Sequence, residues 1–292
     1  VQLASLGRNG FVLMGLSALL FSGMSALAKL ASAALPPSEV VLFRGLMATA
    51  LLLGWHFARG GRPAGLVGHH RGLLLLRGVS GALALLLYFF ALSGMPVADA
   101  SLLNNCAPLF VILLAAPFLG ERLPRRQLVA VPVILAGVAL VIRPSLEFLN
   151  WYGLAAFASA ALAAVAYLCV RRITRQENPL VVVLWFNAVV VLLAAPLAAP
   201  GFVGPSGREW LILAGVALLS VLAQVLLTLA YRHDQAGRVS LVGYLGPVFG
   251  ALWDLALWGV LPRAWTLLGA GLILVALVWL HEQGRRHPTP PA

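Results

Sequence analysis

Charge is what this sequence has least of. Only 10% of its 292 residues are charged, nine of them acidic, and Lys29 is its single lysine. Average soluble domains carry about a quarter charged residues, so a solvated enzyme or binding module is excluded. Cysteine is nearly absent. Cys106 and Cys169 both fall in apolar runs, where no oxidising solvent reaches, so no disulfide framework is expected. The six histidines (His56, His69, His70, His233, His281 and His287) stand in loops, at the ends of apolar runs or in the tail. No basic domain exists either: the net charge of +11 comes from arginines scattered over short connections, which argues against a nucleic-acid partner.

What fills the chain instead is apolar. Hydrophobic residues make up 61% and mean hydropathy is +0.96. About 20 apolar residues cross about 30 Å of hydrocarbon. Breaking the chain at polar and Pro/Gly punctuation gives ten runs, at 10–33, 38–57, 72–93, 97–119, 126–142, 151–170, 179–199, 209–231, 237–260 and 264–281. Arg8 followed by a run reaching Ala26-Leu27-Ala28 has the look of a secretory signal. The run continues to Ala33 with no soluble domain behind it, so it reads as a first transmembrane helix.

The runs repeat. Ala100 to Phe110 (Ala-Ser-Leu-Leu-Asn-Asn-Cys-Ala-Pro-Leu-Phe) returns 139 positions later as Val239 to Phe249 (Val-Ser-Leu-Val-Gly-Tyr-Leu-Gly-Pro-Val-Phe), and Gly120 and Gly259 keep the same offset. Gly15-Leu16 and Ala18 are matched by Gly153-Leu154 and Ala156, and Leu123-Pro124-Arg125 by Leu261-Pro262-Arg263, at 138. Five spans is an odd number, so a second copy lies upside down relative to the first. The fold expected is all-α integral membrane, ten transmembrane helices as two inverted five-helix repeats, 1–148 and 149–292, forming one transport unit. Such halves can rock about a site between them and expose it to either side in turn. A monomer is sufficient.

Orientation follows from the arginines. Fourteen stand in the N-terminus, the loops after spans two, four, six and eight, and the C-terminus, against Arg143, Arg208 and Arg263 on the other side. This places both termini in the cytoplasm.

Gly120-Glu121-Arg122-Leu123, preceded by Pro108-Leu109-Phe110 and followed by a last apolar span, resembles the EamA-type branch of the drug/metabolite transporter (DMT) superfamily, across both halves. The resemblance implies a carrier of the bacterial inner membrane that exports small metabolites without ATP or a bound cofactor. Size and helix count are also similar to the superfamily's aromatic amino-acid exporters, which implies export of aromatic and other neutral amino acids. The second copy reads Gly259-Val260. Glu121 is therefore no symmetric part of a transport site, and is expected to anchor a loop beside Arg122 and Arg125.

Several residues are candidates for the chemistry. Pro108 and Pro247 lack a backbone N–H, which leaves the carbonyls of Asn104 and Gly243 without helical partners and makes the prolines candidate hinges. Asn104, Asn105 and Tyr244 beside them are candidate substrate ligands. Ser220, Gln224, Thr228 and Tyr231 share one helical face, as do Arg77, Gly81, Ala84 and Tyr88. Such stripes serve either interhelical hydrogen bonding or a water-filled cavity, to which Tyr88, Trp185 and Tyr244 would supply aromatic walls. Lys29 stands near the outer end of its span, where it can snorkel, and Arg44 and Asp254 lie at similar depth. An Arg44–Asp254 or Lys29–Asp254 pair is structural, an outer gate, or the seat of a transported proton. Arg77 reaches either to the cytoplasm or to an anion, while Glu39 and Asp99 are expected to be solvated. Trp151, Tyr152, Trp210, Trp258 and Trp265 read as an interfacial belt. Two other functions have weaker support. An intramembrane serine protease using Ser80 of Gly78-Val79-Ser80-Gly81 lacks a mid-span histidine, and a channel lacks a charged ring or filter-like repeat.

Overall fold

The computed structural model describes residues 9–92, 94, 103–121, 124–142, 150–174 and 176–286. Among the positions named above, Arg8, Asp99, Ala100, Ser101, Leu102, Arg122, Leu123, Arg143 and His287 lie outside the described residues. The described chain is helical throughout: α1 (Gly10–Ala31), α2 (Pro37–Ala58), α3 (Arg71–Leu92), α4 (Ala107–Leu119), α5a (Arg125–Leu128), α5b (Ala130–Ile142), α6 (Trp151–Ile173), α7 (Pro179–Ala198), α8 (Gly207–His233), α9a (Ala236–Val242), α9b (Leu245–Trp258) and α10 (Ala264–Arg286), with a 3-10 turn at Pro63–Leu66. Eight spans among the described residues are long and apolar enough to cross a membrane, α9a and α9b counting as one, and α4 and α5b are shorter apolar helices. This is a multi-pass membrane protein of ten helices.

The two halves start their helices alike. Asn9 and Asn150 cap α1 and α6, accepting from Phe11 N–H at 3.1 Å and Gly153 N–H at 2.9 Å. Both α2 and α7 begin on a proline, Pro37 and Pro179, whose missing N–H costs nothing in a first turn. Both α4 and α9b end on a left-handed glycine, Gly120 at φ 70° and Gly259 at φ 65°, with the next residue's N–H returning to Ala115 or Asp254. That double closure satisfies the last carbonyls, and a Cβ would strain it.

Ahead of each proline the helix breaks. Asn105 and Cys106 form a turn before α4, and Gly243 and Tyr244 form one between α9a and α9b. The prolines fall in the first turn of the helices that follow, and one of the two expected orphans is filled. Gly243 O accepts from Gly246 N–H at 3.0 Å, one residue nearer than an α-helix would supply.

The packing has a rule. Pairing α1 with α8 is answered by α6 with α3, α1 with α9b by α6 with α4, and α2 with α8 by α7 with α3. The pairs α2 with α7, α4 with α9a and α5b with α10 answer themselves. Exchanging helix n for helix n + 5 thus maps these pairings onto one another. A hydrogen bond repeats the pattern: Ser17 of α1 donates to Ala223 O of α8 at 2.8 Å, and Ser159 of α6 to Ala84 O of α3 at 2.7 Å. Ser17 therefore corresponds to Ser159, which moves the sequence alignment of the first helix by about one turn. Where α5b crosses α10, Cβ atoms on Gly137 and Gly269 would each press on the other's carbonyl oxygen, so only glycine permits that approach.

Candidate functional site

The helices α1, α2, α3, α7 and α8 enclose a polar interior. Arg77, 3% exposed, enters from the second turn of α3, and a Cβ at Gly81 would collide with its Nη1. The glycine lets the side chain run along its own helix toward mid-depth rather than out to the arginine-rich end. There Nη2 donates to Gln224 Oε1 at 3.1 Å, and the guanidinium lies over the Phe186 ring, 4.1 Å from its centre. Tyr167 and Tyr231, stacked at 5.6 Å, sit in its electrostatic surroundings.

Arg44, 7% exposed, approaches from the opposite end of the bundle on α2. Its Nη1 meets Met24 Sδ at 3.9 Å, and its charge feels that of Arg77. Arg44 is therefore no partner of Asp254. The adjacent glycines Gly45 and Gly78 let α2 and α3 close on Val189 to Val191 of α7. Arg-Gly pairs inside two spans are the signal that sequence reasoning passed over. Five atoms here are buried without a hydrogen-bond partner in the protein: Arg44 Nε and Nη2, Arg77 Nε, Ser220 Oγ and Tyr231 Oη.

Other expected site residues lie elsewhere. The Asn104 side chain lies 3.1 Å from Ser159 Oγ, joining α6 to the broken helix ahead of α4. Tyr88 packs half-buried beside Ala91, Tyr152 and Ala155. Tyr244 is fully buried in the core with its hydroxyl unpartnered. Trp185 donates to Leu66 O at 3.2 Å and so ties down a loop. Asn105, Pro247 and Asp254 line an open cleft of about 530 Å³ with Arg263 and Thr266 at the arginine-poor end. At its rim Lys29 pairs with Asp254 at 3.2 Å and lies over Trp258, 4.0 Å from the ring centre, with both charged side chains substantially exposed.

Two carboxylates differ from expectation. Glu39 is fully buried rather than solvated, because the connection before α8 turns two unpaired amides onto it: Val203 N–H at 2.7 Å and Gly204 N–H at 3.1 Å. Glu121 is an anchor, as expected, but it reaches beyond its own loop and across the halves. Its Oε1 accepts from Arg171 Nη2 at 2.6 Å and Nε at 2.8 Å, and its Oε2 from Ala236 N–H at 2.9 Å. Arg171 also donates to Tyr231 O at 2.8 Å, so one buried ion pair ties together α4, α6, α8 and α9a. Reading Arg171 as a loop charge missed this, since α6 runs on to Ile173.

Ser80 donates to Leu76 O at 2.6 Å, the bond of a helix-packing serine. Among the described residues no cluster of three or more His, Cys, Asp or Glu could hold a metal.

Known proteins share this architecture. A solved crystal structure superposes with a TM-score of 0.83 at 24% identity, covering 96% of this chain and 100% of that one, which speaks for the fold. The pseudopaline exporter CntI of Pseudomonas aeruginosa is 39% identical over 94% of this chain and 96% of its own. A riboflavin transporter of Rhizobium johnstonii is 29% identical over 77% of this chain and 74% of its own. The EamA-like transporter family matches residues 8–143 and 150–281. With nearly the whole chain matched in two consecutive units, this protein belongs to the EamA-like transporter family of the drug/metabolite transporter superfamily.

Proposed function

We propose that the chain is a secondary transporter of the bacterial inner membrane, both termini cytoplasmic, which exports amino acids, aromatic and other neutral ones among them, and related small metabolites by alternating access. The observation that carries this reading is the n to n + 5 symmetry of the packing around a buried polar interior. Two related arrangements of similar stability are what a carrier needs to face either side. The exporter and the riboflavin transporter among its relatives support small organic substrates.

In this reading the turns before Pro108 and Pro247 are the hinges, and the Glu121–Arg171 tie and the Lys29–Asp254 pair close opposite ends. The substrate path runs past Ser220 and Gln224, with Asn104, Asn105, Tyr88, Tyr244 and Trp185 supporting its walls. Asp254 stands at a rim and is half exposed, which favours a gate over a proton carrier.

Uptake of radiolabelled threonine, tryptophan and phenylalanine into liposomes holding the purified protein tests this. Saturable transport is expected that ignores a pH gradient and survives Asp254→Asn. Gradient-driven acceleration only with Asp254 present would reassign that residue to proton coupling. A protein that moves no small metabolite would end the transport reading.

A further inference from the structure

We infer that Arg44 and Arg77 are the carboxylate-binding groups of the transport site, so that the preferred substrates are organic anions with carboxylates to engage both guanidiniums. This rests on the transport reading alone, and it ranks dicarboxylates above the neutral amino acids named there.

Burying a cation costs several kcal/mol unless an anion or a full set of hydrogen bonds compensates it, and charges kept inside a membrane protein are usually functional. Here two cations are at least nine-tenths buried and feel each other's charge. Neither has a carboxylate within ion-pair distance among the described residues; they touch Met24 Sδ, Gln224 Oε1 and the Phe186 ring. Glu39, the acidic residue of α2, is taken up by the amides of Val203 and Gly204. Asp254 is paired with Lys29 at the rim and Glu121 with Arg171.

The unpartnered atoms suit an anion. Arg44 offers Nε and Nη2, the edge with which a guanidinium grips both oxygens of a carboxylate, and Arg77 offers Nε. Ser220 Oγ and Tyr231 Oη, unpartnered on the α8 face that carries Gln224, add neutral donors. The two arginines start from opposite ends of the bundle, and Arg77 is folded back over Gly81 toward mid-depth. A solute with carboxylates at both ends neutralises both charges, whereas a zwitterion neutralises one and brings a third cation.

The test uses the full chain, purified in detergent and in liposomes, with succinate, glutamate, threonine and inorganic phosphate as probes. Succinate is expected to raise Tm and to enter liposomes at least about tenfold faster than threonine, with glutamate between them. Arg44→Gln and Arg77→Gln are each expected to weaken the succinate response about tenfold or more, as loss of one charge-assisted contact implies. Both variants are expected to melt no lower than wild type, because each removes a buried unpaired charge. A purely structural arginine would do the opposite, so variants that melt lower while keeping the succinate response overturn the inference. Threonine transport without any succinate response also overturns it and leaves the transport reading standing. A succinate-induced Tm shift, lost in both variants, without movement of any probe keeps the site and ends the transport reading. A phosphate response exceeding that of succinate overturns the carboxylate assignment.

Discussion

A buried residue in this protein is read best by what its polar atoms touch. Glu121 and Arg171, both almost fully buried, hold each other and three backbone groups. Glu121→Gln leaves the Arg171 charge without its anion, and a loss of about 3–5 kcal/mol is expected from the cost of breaking a buried pair, read as a lower Tm in detergent. Glu177 makes a different prediction. Burial raises its carboxyl pKa, but N–H groups of His70 and His69 together with the His69 ring outweigh that and hold it below the usual carboxylate range. A depressed folded pKa gives stabilisation that is complete above the unfolded value, about 4.3 for glutamate, and is lost as pH falls through the folded one. Protection of the His69 and His70 amides, taken relative to the intrinsic exchange rate at each pH, should therefore stay high at neutral pH and fall only below that range, and Glu177→Gln should lower it at pH 7. The sequence exposed the identity of these charges but not their pairing. Glu39 sits in a first turn, where solvent is the ordinary partner, and only the path of the connection before α8 shows its amides arriving.

At the scale of the helix the sequence was far more legible, because crossing a bilayer forces long apolar runs with polar ends. Nine of the ten runs became a helix or a broken helix within a few residues of their expected bounds, and the start of the run at 97–119 lies outside the described residues. The paired glycines Gly120 and Gly259 closed their helices alike, and the proline turns fell at matched places. Less legible was helix pairing, which depends on which small residue faces which neighbour. Gly137 and Gly269 show the difficulty, since among many glycines these two let one backbone lie against another. Gly269→Val should wedge α5b from α10 and cost about 1–3 kcal/mol, as overpacking does, lowering Tm. Gly271→Val, whose added carbon would meet nothing within 4 Å, should be tolerated.

In the whole molecule, the extensive helix pairings run between the halves and not within them. Residues 1–148 expressed alone therefore lack a core and should be degraded or aggregate, while co-expression with 149–292 should restore a protein that co-purifies. That each of the extensive helix pairings has a mirrored counterpart has a historical consequence. It is the contact rule of a dimer with a two-fold axis, in which one patch meets another and is met in return. A single five-helix ancestor inserting in both orientations would satisfy the principal contacts seen here. Fusing two such copies into one gene fixes their stoichiometry and opposite orientation, and releases each from having to match itself. Glu121, acidic in one half and answered by Val260 in the other, is a mark of that freedom.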